Sequence, residues 1–142
     1  LKECVFDLEP RRIFINIGTN DLTRAEWSIG QIMDNYDRLI AEILQKLPDV
    51  KLYFMAYYPI NQEAAQECVR EALKIRTNEK IEKANEQVKK LAEKYHGTYI
   101  DVNDALKDEQ GRLKAEYTIE GMHINEDGYR AIIPALMKYV EE

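Results

Sequence analysis

The segment Ile13-Phe14-Ile15-Asn16-Ile17-Gly18-Thr19-Asn20-Asp21-Leu22 constrains the fold of this chain more than any other. An apolar run stops abruptly at a glycine, and a hydroxyl, an amide and a carboxylate follow without a spacer. A short apolar run bounded by turn residues reads as a fully buried strand of a parallel sheet. Polar groups at the carboxyl end of such a strand stand where open α/β sheets place their ligands. A strand over about residues 12–18 is therefore expected to present Asn20 and Asp21 at a working edge.

A second segment carries a complementary set of groups: Thr118-Ile119-Glu120-Gly121-Met122-His123-Ile124-Asn125. Glu120 and His123 lie three residues apart in a glycine-containing turn, a spacing that lets a carboxylate reach the imidazole it would orient. The chain has one serine, Ser28, followed three residues later by Gln31. That is the Ser-x-x-Gln pattern of a capping box, so Ser28 is expected to start a helix rather than act as a nucleophile.

Between these segments the chain alternates strand and helix. Ile29, Ile32, Met33, Tyr36, Leu39, Ile40, Ile43, Leu44 and Leu47 recur at spacings of three and four and make one helical face, stopped by Pro48. Val50 to Tyr58 is aromatic and apolar, as a central strand should be, and ends at Pro59. Residues 60–76 open as a loop, with Val69, Ala72 and Leu73 hinting at a helical turn or two. A long helix is expected over about 77–95, ended by Gly97. Thr98 to Val102 reads as a third strand, and residues 103–124 as a long irregular connection. A last helix over about 126–140 is expected to bury Ile132, Ile133, Leu136, Met137 and Val140, with Pro134 marking a kink or an early-turn position. This order argues for a parallel sheet with helices on both faces and right-handed crossovers.

Composition narrows the function classes. A chain of 142 residues reads as one domain, residues 1–142, large enough to hide roughly 70% of the surface that its unfolded form exposes. The net charge is −6 and no basic stripe is visible, which argues against nucleic acid as a partner. No apolar run approaches the ~20 residues of a membrane span. Cys4 and Cys68 are isolated and lack metal-ligand spacing; reduced, partly buried thiols and a cytoplasmic location are expected. The opening Leu1-Lys2-Glu3-Cys4 has no initiator Met, so the lack of a leader says little about compartment.

With both polar segments placed, the chain resembles the SGNH hydrolases, also called the GDSL-type esterases and lipases. Gly18-Thr19-Asn20-Asp21 is similar to the family's Gly-x-Asn-Asp block, and Glu120-Gly121-Met122-His123 to its Asp-x-x-His block, followed by Asn125, Gly128 and Tyr129 of the closing helix. The resemblance implies a flavodoxin-like three-layer α/β/α fold with a parallel sheet. It implies an ester hydrolase acting on small acyl esters of lipid or carbohydrate through an acyl-serine, with no metal and no organic cofactor. Asn20 would donate its amide to the oxyanion, His123 would be the general base, and Glu120 would fix its tautomer in place of the usual Asp. Gly18 would serve backbone geometry and Asp21 would brace the loop.

The blocks that supply the family's nucleophile and an oxyanion-hole glycine have no counterpart here. The chain resembles the carboxyl-terminal two-thirds of such a domain, its N-terminal strand or strands lying outside it. The strand ending at Gly18 would then be an uncovered edge, and either an N-terminal segment completing the sheet or self-association is expected. The chain alone is expected to be inactive. His96 reads as a charge at a helix terminus. Tyr53, Tyr57, Tyr58 and Tyr117 could line an acyl pocket, Tyr53 and Tyr57 fitting the core better. Two other readings stay open: a binding domain that keeps the fold without the chemistry, and a metal-assisted hydrolase using Asn20, Asp21 and His123.

Overall fold

A computed structural model of the chain describes residues 11–17 and 21–140. Among the described residues three short parallel strands form the sheet, in the order β1 (Arg12–Ile15), β2 (Lys51–Met55), β3 (Thr98–Ile100). Phe14 stands opposite Tyr53, and Phe54 opposite Tyr99. Four α-helices among the described residues flank it: α1 (Ile29–Lys46), α2 (Glu67–Ile75), α3 (Asn78–Lys94) and α4 (Glu126–Val140).

Side chains alternate across a strand, so each strand feeds two cores. Ile15, Leu52, Phe54 and Tyr99 face one side, where Ile32, Tyr36 and Ile40 of α1 and Ile81, Ala84 and Val88 of α3 close over them. Phe14, Tyr53 and Ile100 face the other, under Ile132, Leu136 and Tyr139 of α4. The rings of Phe14 and Tyr53 stack at 4.6 Å between centroids. The result is the expected three-layer α/β/α arrangement. Phe54, Ile40 and Leu22 are wholly buried, each contributing about 1.5–3 kcal/mol relative to exposure.

Local signals fix the helix starts. Ser28 accepts the Gln31 amide at 3.1 Å while the Gln31 side chain accepts the Ser28 amide at 2.9 Å, so the capping box is complete. Thr77 caps α3 by accepting the Lys80 amide at 3.1 Å.

Several expectations change. β1 is not fully buried: Ile13 and Phe14 are half-buried, because among the described residues no strand pairs with its outer edge. Residues 67–75 form a full helix rather than a turn or two, since Val69 and Leu73 are both buried in the core. His96, not Gly97, adopts the left-handed conformation after α3, at φ 56°. Gly97 is needed for space: a Cβ there would stand 2.4 Å from the Phe54 ring. Pro134 lies inside α4, past its first turn. Ile133 and Met137 are 49% and 43% exposed, because only the Ile132, Leu136 and Tyr139 side of α4 meets the sheet. Cys68 is an exposed free thiol rather than a partly buried one; Cys4 lies outside the described residues.

Candidate active site

The turn after residue 117 is built around one carboxylate. Oε1 of Glu120 accepts the amides of Met122 at 3.1 Å and His123 at 2.5 Å, and Oε2 meets Nδ1 of the His123 ring at 2.9 Å. The Thr118 hydroxyl closes the turn, donating to the His123 carbonyl at 2.8 Å and accepting the Gly121 amide at 2.9 Å. Burial pushes the Glu120 carboxyl up, but the His123 amide, the His123 ring and the Met122 amide outweigh it, and the carboxyl is held below its ordinary value. The two side chains face different media: Glu120 is 15% exposed and His123 63%. Among the described residues Nε2 of His123 has no hydrogen-bond partner, so the ring is oriented at one nitrogen and open at the other.

The segment leaving β2 holds this turn at the carboxyl end of the sheet. The Asn61 amide donates to the Gly121 carbonyl at 2.8 Å, and the Gln66 amide to the Glu120 carbonyl at 2.9 Å. Gly121, at φ +105°, lies so close to this segment that a Cβ would stand 2.7 Å from the Asn61 carbonyl oxygen. Only glycine satisfies both demands.

The same segment reaches the end of β1. The Tyr57 hydroxyl donates to the Ile17 carbonyl, and Asp21 opens a 3-10 turn, Asp21–Thr23, with Leu22 buried beneath it. Gly18 and Asn20 lie outside the described residues, so of the expected set the structure joins Glu120 to His123 and places Asp21, half-buried, at the sheet end that receives the Glu120 turn. Ser28 is committed to its cap. Tyr53 and Tyr57 are core residues, 2% and 0% exposed, while Tyr58 and Tyr117 are half-buried.

A shallow hollow of about 970 Å³ is lined among others by Asn61, which holds the turn, and by Lys107, Asp108, Arg112, Lys114 and Glu116. Arg112 is held by Glu63 at 2.7 Å and Asp108 at 3.1 Å. Among the described residues no three His, Cys, Asp or Glu side chains gather as a metal-ligand group. No helix among them is long and apolar enough to cross a membrane.

Sequence reasoning missed the buried and half-buried amides that fix this scaffold. Asn85 exchanges two hydrogen bonds with the main chain of Tyr57, Asn78 does the same with Ile60, and Asn103 donates to the Tyr57 carbonyl at 2.9 Å. One signal was present: Asn85 interrupts the apolar face formed by Ile81, Ala84 and Val88.

Comparison with solved structures gives the same fold. A protein from Streptococcus pneumonia, whose name refers to platelet activating factor, superposes with a TM-score of 0.80 at 32% identity, over 90% of this chain and 58% of that one. A GDSL-like lipase from Bacteroides thetaiotaomicron gives 0.76 at 21% identity, over 99% and 66%. An acetylxylan esterase from Geobacillus stearothermophilus gives 0.70 at 18%, over 96% and 62%. The chain thus spans less than two-thirds of each of these structures. It is also 24% identical over 120 residues to the N-acylneuraminate cytidylyltransferase of Escherichia coli, covering 84% of this chain and 26% of that protein. The profile of the GDSL-like Lipase/Acylhydrolase family matches residues 3–131, and the chain belongs to that family.

Proposed function

We propose that the intact protein is a serine ester hydrolase in which this chain supplies the base, its orienting carboxylate and one oxyanion donor. The observation that carries the reading is the 2.9 Å contact between Oε2 of Glu120 and Nδ1 of an otherwise open His123 ring, at the carboxyl end of a parallel sheet. With its proton fixed on Nδ1, His123 takes the serine proton at Nε2 as the hydroxyl oxygen attacks the ester carbonyl. Asn20 donates its side-chain amide to the oxyanion. His123 then returns the proton to the leaving oxygen, and the same groups activate water to release the acid from the acyl-serine.

The serine would come from a segment pairing with the outer edge of β1, where among the described residues no strand lies and Ile13 and Phe14 are half-buried. The likeness to an acetylxylan esterase supports a small acyl ester of carbohydrate as the substrate class.

The test is hydrolysis of p-nitrophenyl acetate by the intact protein, beside its His123→Ala and Asn20→Ala variants. Loss of about 3 kcal/mol of transition-state stabilisation in Asn20→Ala is expected. Unchanged turnover in His123→Ala would sink the reading, and no ester turnover at all would favour a binding domain that keeps the fold. In this chain alone, a fluorophosphonate probe should leave Ser28 unlabelled.

A further inference from the structure

We propose that Ile119 is a specificity-determining residue that packs against the alcohol portion of the ester, beside the imidazole that protonates it. The assignment deepens the esterase reading and rests on it; the pairing of the two side chains does not. Thr118 and Ile124 form an antiparallel bridge, flanked by hydrogen bonds from the Ile119 amide to the His123 carbonyl at 3.3 Å and from the Asn125 amide to the Tyr117 carbonyl at 2.9 Å. That register sets Ile119 directly opposite His123. Directly opposite residues of an antiparallel pair project their side chains from one face, with Cβ atoms about 4.5–5.5 Å apart. Exposure follows the same alternation: Ile124 is buried, whereas Ile119 is 65% exposed and the His123 side chain is exposed beside it.

A lone exposed apolar side chain is ordinary on a protein surface. Ile119 differs in where it stands and how firmly it is held. Its carbonyl accepts the Gln66 side-chain amide at 3.2 Å, its own amide is committed to His123, and the Glu120 carbonyl accepts the Gln66 main-chain amide at 2.9 Å. A β-branched side chain on such a backbone keeps few rotamers, so its methyl groups form a fixed apolar wall. The chemistry names what meets that wall. As the tetrahedral intermediate collapses, the proton on Nε2 of His123 passes to the leaving oxygen, the bond from the carbonyl carbon to that oxygen breaks, and its electron pair stays on the oxygen. The transfer needs the leaving oxygen within about 2.6–3.2 Å of Nε2. The alcohol group is bonded to that oxygen itself, whereas the acyl chain begins beyond the carbonyl carbon. An apolar face on the alcohol, such as the C–H face of a sugar ring, therefore gains contact with Ile119, and a longer acyl chain gains none.

The test uses the intact protein with Ile119→Ala and, as the conservative change, Ile119→Val. For phenyl acetate, kcat/KM should fall roughly fivefold to tenfold in Ile119→Ala and stay within about twofold in Ile119→Val. Phenyl butyrate, which has the same alcohol, should show the same factor, and methyl acetate a factor below about two. Phenol, the alcohol released, gives a readout without turnover. Its titration should shift the Ile119 methyl and His123 ring proton resonances together, and Ile119→Ala should weaken its binding roughly fivefold to tenfold. A loss that follows acyl length, a loss equal for all three esters, or phenol that leaves the Ile119 methyl resonances unmoved overturns the proposal. Joint shifts in an intact protein without ester turnover support the contact and overturn the esterase reading instead.

Discussion

Glu120 divides its carboxylate between two tasks, one oxygen accepting the amides of Met122 and His123 and the other meeting the His123 ring. The backbone bonds set the shape of the turn, and the ring contact sets the tautomer. The tasks are separable because they use different oxygens.

Glu120→Gln should separate them. The amide oxygen keeps accepting from the backbone, while the NH2 group faces Nδ1 and forces its proton to Nε2. Thermal stability should stay within about 1 kcal/mol, whereas kcat of the intact protein should fall roughly 10⁴-fold, as in a triad with the wrong tautomer. Glu120→Ala should lose both. Calorimetry beside ester kinetics checks the split.

Acid should weaken the turn. The folded-state value of Glu120 lies below its unfolded one, so its contribution is complete above the unfolded value, about 4.3. It fades as pH falls through the lower, folded value. The stability difference between the native chain and Glu120→Ala should therefore be largest near neutral pH and shrink in acid. A difference that grows in acid would contradict the assignment; urea melts across that range read it directly.

Gly121→Ala should cost about 1–3 kcal/mol, from a left-handed backbone and a collision with the Asn61 carbonyl. The damage should be local: exchange protection falls in 118–124 and 61–66 and persists in α1.

Arg76 is 4% exposed; among the described residues its Nε has no hydrogen-bond partner, and its guanidinium donates to the Tyr58 carbonyl at 3.5 Å. Burial pushes the guanidinium down to about 10, against a smaller opposing effect of Tyr57. Replacing an ill-paired buried ion with an apolar side chain of similar volume is often neutral or stabilising by about 1–4 kcal/mol. Arg76→Met should leave the urea midpoint unchanged or raise it.

The outer edge of β1 predicts association. Light scattering of this 16.6 kDa chain should give a mass above one copy that rises with concentration, and co-expression with the segment proposed to carry the serine should suppress the rise. A monomer at every concentration, with no second polypeptide, would count against the proposed strand.

Features set by near neighbours in the chain were legible in the sequence. The apolar spacing of α1 and α3, the Ser28–Gln31 cap and the Glu120–His123 spacing each depend on residues within a few positions of one another, where helix period and turn geometry leave little choice. Tertiary packing decided the rest. Nothing local marks Ile133 and Met137 as the outward side of α4, or Gly97 rather than His96 as the position short of space. Nor could local pattern show that Tyr57 bonds a carbonyl 40 residues away, because such a bond exists only once parallel strands bring the ends of β1 and β2 side by side. Period and capping are properties of short stretches; the meeting of distant carbonyls, amides and rings is a property of the assembled layers.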